Sequence, residues 1–105
     1  MMRALKRPRF LLDLAEELAW LNKKAGPEVA ERWYQALLAT IEDLKRHPLL
    51  GRERLDLKPA GIRSWRVKRF SRWLVFYRIR EDEQSLVLLR VRSGTMNLPM
   101  LEMES

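Results

Sequence analysis

The chain has 105 residues, of which 47% are hydrophobic and 33% are charged, a composition typical of a folded protein with one modest core. Its 21 Lys and Arg residues outnumber 14 Asp and Glu residues, and the net charge of +7 indicates an anionic partner. The sequence has no cysteine and no apolar run of about 18 residues, which excludes disulfides, thiolate chemistry and a transmembrane helix. Its N-terminus lacks a recognisable secretion signal, so a cytoplasmic location is expected.

A short strand and two helices are predicted for the first half of the chain. The strand covers residues 2–6, and Pro8 suits the first turn of a helix, where its missing N–H is not needed. Gly26 is expected to end this helix, and Pro27 opens a second helix that runs to Arg46. Helical spacing predicts two buried faces, formed by Leu11, Leu14, Ala15, Leu18 and Leu21 in the first helix and by Ala30, Trp33, Leu37, Ile41 and Leu44 in the second.

Strands are predicted for the second half of the chain. Residues 47–61 form an ordered loop, onto which Leu49, Leu50, Leu55 and Leu57 are expected to pack back. Strands follow over residues 62–70, 72–80 and 86–92, with a polar turn at 81–85. The order β-α-α-β-β-β predicts an α+β fold, in which a helical hairpin covers one face of a small, mainly antiparallel sheet. The chain is expected to form a single domain, whose tail from about residue 93 packs on the sheet or becomes ordered with a partner.

The positive charge is concentrated in the predicted strands, because residues 61–80 hold seven Lys or Arg residues and no acid. Side chains alternate between the two faces of a strand. In the strand 72–80, one predicted face holds Trp73, Val75, Tyr77 and Ile79, and the other holds Leu74, Phe76, Arg78 and Arg80. In the strand 86–92, one predicted face holds Val87, Leu89 and Val91, and the other holds Leu86, Leu88, Arg90 and Arg92. A meander would gather Arg66, Lys68, Arg90 and Arg92 at one edge and Arg63, Arg78 and Arg80 at the other, with Leu74, Phe76, Leu86 and Leu88 between them. Such an apolar strip between guanidinium groups is typical of a binding surface, although strand arginines often only protect a sheet edge.

Few residues suit metal or hydrolytic chemistry. His47 is the only histidine, no phosphate-binding loop motif is present, and the serines in the strand region have no adjacent base. No metal and no cofactor are therefore expected. Arg and Lys could still stabilise the charge that develops during phosphodiester cleavage, so the residue chemistry leaves both a ribonuclease and a non-catalytic binder open.

Several segments together resemble the toxins of the RelE/ParE superfamily of bacterial type II toxin–antitoxin modules. These segments are Pro8 followed by DLAEEL, the helix end HPLLGRER, and the strand segments GIRSWRV, WLVFYRI and LLRVRSGTMNL. The resemblance extends from about residue 3 to residue 98. It implies the same α+β fold and the role of a toxin, of the kind associated with plasmid stabilisation and growth arrest.

The superfamily contains two kinds of activity. RelE-like toxins cut mRNA in the ribosome with Lys, Arg and often Tyr or His, whereas ParE-like toxins are associated with poisoning of DNA gyrase. Leu74 occupies a position where RelE-like toxins commonly have an arginine. Ser93, Met96 and Asn97 depart from the ParE-like pattern, which usually has His before the Gly and an Arg-Asp pair after it.

GIRSWRV and FYRI favour the ParE-like branch, so the leading hypothesis is a toxin that inhibits gyrase or another topoisomerase by binding, without turnover. The alternatives are a RelE-like endoribonuclease that cuts mRNA in the ribosome and an inactive binding module with the toxin fold. The candidate target-binding residues are Arg63, Arg66, Lys68, Arg78, Arg90 and Arg92. In the ribonuclease alternative, Arg66, Lys68, Arg90 and Arg92 would hold the phosphodiester.

The resemblance also implies a cognate antitoxin as a protein partner, and no membrane partner is expected. An acidic, partly disordered antitoxin segment would fold against the basic toxin to form a hetero-oligomer. The candidate antitoxin contacts are Leu12, Ala19, Trp20, Leu74 and Phe76.

Overall fold

In the computed structural model, which describes residues 1–94 and 102–103, two helices pack on one face of a five-stranded sheet. The helices are α1 (Pro8–Ala25) and α2 (Pro27–Arg46). The strands are β1 (Arg3–Lys6), β2 (Arg52–Glu53), β3 (Arg63–Val67), β4 (Phe70–Arg80) and β5 (Ser85–Ser93). This arrangement confirms the predicted α+β fold and element order. Neither of the two described helices is long and apolar enough to span a membrane.

The strands lie in the order β1-β5-β4-β3-β2. β1 runs parallel to β5, and each other neighbouring pair is antiparallel. The first strand therefore lies at one edge, beside the last strand in the chain. β2 forms the opposite edge within a segment predicted as loop, because a strand of two residues is too short to show periodicity.

Gly26 joins the helices into a tight antiparallel hairpin. Its φ of +94° lies in a region that favours glycine, and its N–H donates to the carbonyl oxygen of Asn22 at 3.1 Å. Pro27 then begins α2, whose five predicted core residues are all buried. The prediction for α1 is less accurate, because Leu11 is 49% exposed and Ala15 is exposed, whereas the polar Asp13 is buried.

The main core lies between the helices and the sheet. Trp33 and Leu37 of α2 face Val75 and Tyr77 of β4, and all four are fully buried. Burial of each large apolar side chain contributes about 1.5–3 kcal/mol. The ring centroids of Trp20, Trp33 and Phe70 lie 6.3, 6.0 and 6.3 Å from the ring centroid of Trp73. The helices therefore cover the apolar face of β4, as predicted.

A second, smaller core covers the opposite face of the sheet, termed the outer face. Its members are Leu57 and Ile62 from the loop region, Phe76, Val87 and Leu89 from the sheet, and Met103 from the tail. The prediction that Leu74, Phe76, Leu86 and Leu88 form an exposed apolar strip is therefore wrong. Phe76 is covered by this second core, and Leu86 and Leu88 lie in the main core. Leu49, Leu50 and Leu55 remain 69%, 40% and 89% exposed, contrary to the prediction that they pack back.

An irregularity in β5 changes the predicted faces. Phe76 pairs with Arg90, whereas the next residue, Tyr77, pairs with Leu88, so β5 has one extra residue at this point. A bulge of this kind shifts the alternation of side chains. Val91 consequently lies in the main core with Leu88, and its predicted grouping with Val87 and Leu89 is wrong.

Candidate functional site

Asp13 of α1 is 1% exposed and connects the helix to the end of β5. Its carboxylate accepts hydrogen bonds from Arg90 Nε at 2.6 Å, from Arg90 Nη2 at 3.0 Å and from the backbone N–H of Val91 at 3.1 Å. The pairing of β1 with β5 ends at Leu88, so this N–H lies beyond the last partner residue of β1. Asp13 therefore replaces a strand partner at this edge.

The candidate residues Arg90 and Arg92 belong to the same network. Arg90 is 5% exposed, and its Nη1 also donates to the carbonyl oxygen of Glu102 at 2.7 Å. Arg92 Nη1 lies 3.3 Å from Asp13 Oδ1 and 3.7 Å from Glu17 Oε2. The structure brings both arginines together, but against carboxylates of α1. Their charge is therefore largely compensated within the fold.

Lys68 lies in the turn between β3 and β4, not in a strand as predicted, because Val67 pairs directly with Phe70. Its backbone N–H donates to Thr40 Oγ1 at 2.9 Å, and its Nζ lies 3.1 Å from Asp43 Oδ2 on α2. The predicted cluster of Lys68 with Arg66, Arg90 and Arg92 is therefore wrong, because Lys68 contacts α2 on the helix side of the sheet.

The other predicted arginine group is divided between the two faces of the sheet. Arg63 pairs with Tyr77 of the main core, and its Nη1 donates to the carbonyl oxygen of Gly51 at 2.6 Å. Arg78 pairs with Val87, a member of the outer core. Arg80 lies at the exposed end of β4, and its Nε is 3.4 Å from Glu83 Oε1. Arg63 therefore lies beside the residue that precedes Arg78, but the side chains of Arg63 and Arg78 belong to opposite faces.

Arg66 lies on the outer face and is exposed. It pairs with Leu74, which pairs in turn with Arg92, so these three residues form a row across β3, β4 and β5. The guanidinium carbon of Arg66 lies 4.4 Å from the ring centroid of Trp65, close enough for a cation–π interaction. This contact orients the Arg66 side chain while leaving it accessible to a partner.

Arg54 is a buried cation that the sequence prediction missed. It is 6% exposed, and its Nε and Nη2 donate to the two carboxylate oxygens of Asp56 at 2.9 and 2.7 Å. These bonds are the main cause that lowers the pKa of Asp56 below its ordinary value. Arg54 Nη1 also donates to Ser64 Oγ at 3.2 Å. No pattern in the sequence distinguishes Arg54 from the exposed arginines, because it follows a two-residue strand within a segment that was predicted as a loop.

The candidate antitoxin contacts differ in exposure. Leu12 and Trp20 are 51% and 47% exposed, and Ala19 of the same helix is also exposed. Leu74 is half-buried, and Phe76 is fully buried beneath the outer core. The three helix residues are therefore exposed, whereas the expectation that Phe76 lies on an open surface is wrong.

A pocket of about 360 Å³ lies beside Trp20, between α1 and the ends of β4 and β5. Glu16, Glu17, Trp73 and Arg92 also line it. The indole Nε1 of Trp73 donates to Glu17 Oε1 at 2.5 Å. Indole rings beside carboxylates suit an aromatic or cationic side chain of a partner.

Proton-transfer groups are poorly placed among the described residues. His47 is exposed at the end of α2, and the Tyr77 hydroxyl is enclosed by Pro48 and Gly51. Burial is the main cause that raises the pKa of Tyr77 above its ordinary value. Within residues 1–94 and 102–103, no group of three or more His, Cys, Asp or Glu residues is arranged to hold a metal ion.

The sequence matches a family model described as the ParE toxin of the type II toxin–antitoxin system, parDE, over residues 5–98. It is also 37% identical over 73 residues to Toxin ParE3 of Caulobacter vibrioides, an alignment that covers 70% of this chain and 67% of that protein. Both matches agree with the resemblance seen in the strand segments.

Solved toxin–antitoxin structures share the fold. A chain of the chromosomal ParDE system from P. aeruginosa superposes with a TM-score of 0.71 at 19% identity, covering 89% of this chain and 96% of that one. A chain of the E. coli RelBE toxin–antitoxin complex gives 0.60 at 11% identity, covering 91% of this chain and 100% of that one. A chain of the RelBE2 toxin–antitoxin complex of Mycobacterium tuberculosis superposes with a TM-score of 0.57 at 23% identity, covering 90% of this chain and 93% of that one.

The match to the family model includes α1, α2 and all of β2 to β5. The identity to the curated toxin is high enough to show common descent over two thirds of both chains. The predicted membership of the RelE/ParE superfamily, on its ParE-like side, is therefore confirmed. This chain belongs to the ParE toxin family of type II toxin–antitoxin systems.

Proposed function

We propose that this toxin arrests growth by binding a topoisomerase, with DNA gyrase as the first candidate, and that a cognate antitoxin neutralises it. The mode of action is binding without turnover, in the cytoplasm where gyrase works. One observation carries the proposal: the fold pairs three of the four cations that a ribonuclease would use with carboxylates. Arg90 and Arg92 contact Asp13, and Lys68 contacts Asp43.

A scissile phosphodiester would have to compete with these carboxylates. Arg90 is 5% exposed and bonded through both Nε and Nη2 to Asp13, so its release would leave a carboxylate buried without a partner. Such an unpaired buried charge costs several kcal/mol. Leu74 lies between Arg66 and Arg92, so an apolar side chain separates these two cations. Three of the four cations that the ribonuclease alternative requires are therefore already held by carboxylates.

Charge and exposed apolar residues support an antitoxin partner. The net charge of +7 favours an acidic partner, and α1 exposes Leu12, Ala19 and Trp20. The E. coli RelBE structure that shares this fold is a toxin–antitoxin complex. We therefore place the antitoxin on α1, with the pocket beside Trp20 receiving one of its side chains.

Induced expression in bacteria tests the proposal, with growth, plasmid supercoiling and mRNA integrity recorded in the same cultures. We expect growth arrest with altered supercoiling and intact transcripts. Arg66→Ala should weaken the arrest because Arg66 is exposed on the outer face, whereas Arg80→Ala is the matched control at the far end of the sheet. Cleaved transcripts would establish the ribonuclease instead, and growth without arrest despite soluble, folded toxin would establish an inactive binding module.

A further inference from the structure

A pocket of about 290 Å³ opens on the outer face between β2, β3 and β4. Three arginines and two serines provide its polar lining: Arg52, Arg54, Arg66, Ser64 and Ser71. None of the described residues that line it is Asp or Glu. Guanidinium groups match the geometry of phosphate oxygens, and hydroxyls add further donors. The lining therefore has the composition of an oxyanion site.

Arg54 is held in place before any ligand binds. Asp56 takes one N–H from Nε and one from Nη2, and Ser64 takes one from Nη1. Because a guanidinium group has five N–H donors, two remain after the bonds made to the described residues. Asp56 is exposed, unlike Asp13, so a ligand that competes for Arg54 would not leave a buried carboxylate unpaired. Since Arg54 is 6% exposed, little side-chain entropy is lost when it binds a ligand.

Ser64 is also oriented by its neighbour. Its hydroxyl oxygen accepts the hydrogen bond from Arg54, so the hydroxyl proton points elsewhere and can be donated to a ligand oxygen. Arg66 closes another side of the pocket from its position over the Trp65 ring. The donors thus come from the segment around β2, from β3 and from the start of β4.

The size and surroundings of the pocket indicate the class of ligand. A volume of 290 Å³ is at the lower limit of small-molecule sites, which span about 300–1,000 Å³, and suits a phosphate group with part of its ester. Positive charge continues beyond the pocket onto Arg69 and Arg72, which are exposed on the β3–β4 hairpin. A polymer with repeated phosphates would contact both the pocket and the hairpin, whereas a free phosphate would use only the pocket.

We propose that this pocket binds a phosphodiester group of a nucleic-acid strand. Its assignment to DNA rests on the proposed function, because DNA is the nucleic acid that a topoisomerase holds; the phosphate site itself does not depend on that function. In this arrangement the toxin contacts the nucleic acid directly, in addition to its protein target.

The test measures binding of fluorescently labelled single-stranded DNA, duplex DNA and RNA of one sequence by anisotropy, at several salt concentrations between about 50 and 200 mM. The Arg52→Ala/Arg66→Ala double variant removes two exposed side chains and leaves the buried Arg54 in place. We expect it to bind at least about tenfold more weakly. The slope of the logarithm of the binding constant against the logarithm of the salt concentration should become shallower by about 0.7–0.9 for each phosphate that the variant no longer neutralises. Ser64→Ala should weaken binding, and Arg80→Ala should not. Circular dichroism checks that each variant is folded.

Each outcome separates this inference from the proposed function. Equal binding by the double variant and the wild type would overturn the pocket as the site. NMR shifts of Ser64 and Arg54 with inorganic phosphate, but no oligonucleotide binding, would overturn the nucleic-acid ligand. Cleavage of the RNA probe would overturn the non-catalytic function while leaving the pocket intact. Unchanged gyrase inhibition by a variant that no longer binds DNA would overturn the role of DNA contact and leave the proposed function standing.

Discussion

Asp13 shows how one buried carboxylate can fix the end of a sheet. It bonds the side chain of Arg90, contacts Arg92 and accepts the N–H of Val91, so three groups on β5 depend on one residue of α1. Hydrophobic periodicity cannot reveal such a residue, because an aspartate on a helix is normally assigned to the solvent face. The arginines of β5 were accordingly predicted as surface residues, whereas one of them is part of the interior.

Replacing Asp13 with Ala is expected to lower the free energy of unfolding by about 3–5 kcal/mol, because Arg90 would stay buried without its counter-charge. Urea denaturation followed by tryptophan fluorescence measures this change. Asp82→Ala, in the exposed turn after β4, serves as the control and should change stability by less than about 0.5 kcal/mol. Equal stability of the two variants would show that the network does not stabilise the fold.

Tyr77 is a second residue whose polar atom organises the loop after α2. Its hydroxyl accepts from the Gly51 N–H at 2.9 Å and donates to the Pro48 carbonyl oxygen at 2.6 Å. A Cβ at position 51 would lie 2.5 Å from this hydroxyl, so the close approach requires glycine. Tyr77→Phe should cost about 1–3 kcal/mol, because a donor and an acceptor would be left without their partner. Tyr34→Phe is the control, since the Tyr34 hydroxyl makes no hydrogen bond within the described residues.

The contribution of Tyr77 should also depend on pH. Burial raises the pKa of Tyr77 in the folded protein above its value in the unfolded chain, which is about 10. The stabilisation is therefore fully present below about pH 10 and is lost as pH rises towards the folded pKa. In urea titrations, the difference in unfolding free energy between wild type and Tyr77→Phe should be constant from about pH 7 to pH 9 and should shrink above pH 10. A difference that grows above pH 10 would contradict this assignment.

At the scale of elements, the β3–β4 hairpin turns through Lys68 and Arg69, and Arg69 has a φ of +67°. A residue with a Cβ is disfavoured in this conformation by about 1–2 kcal/mol. Arg69→Gly is therefore expected to stabilise the protein by up to about 1 kcal/mol, seen as a higher urea midpoint with an unchanged m-value. Arg69→Ala removes the same side chain but keeps the Cβ, so it should give no such gain. Equal midpoints for the two variants would argue against strain in the turn.

The elements also show where prediction from sequence succeeds and where it fails. Pro8, Gly26 and Pro27 locate the helix boundaries because proline and glycine restrict the backbone locally. The face of β4 was predicted correctly, since its alternation is uninterrupted. The bulge at Leu89 was missed because it arises from pairing with β4, and the outer core was missed because Met103 reaches it from a distant part of the chain. Most of the tail, residues 95–101 and 104–105, lies outside the described residues.

For the whole molecule, the distribution of charge separates two surfaces. α1 exposes the apolar residues Leu12, Ala19 and Trp20, whereas the outer face and the β3–β4 hairpin expose arginines. An acidic antitoxin could be attracted by the whole basic protein and still make its apolar contacts on α1 alone. The two contributions should respond differently to salt, because ions screen exposed charges over about 10 Å at 0.1 M but do not weaken apolar burial.

We therefore expect the affinity for the cognate antitoxin, measured by calorimetry, to fall as salt rises and then to approach a residual value. Trp20→Ala should cost about 2 kcal/mol or more of binding free energy at every salt concentration, as is typical of a buried aromatic contact. Charge reversal at Arg80, away from α1, is the matched electrostatic control, and its effect should vanish at high salt because it acts only through long-range attraction. A Trp20→Ala effect that also vanishes at high salt would place the apolar contact elsewhere. Binding that does not change with salt would show that the basic surface serves the target and not the antitoxin.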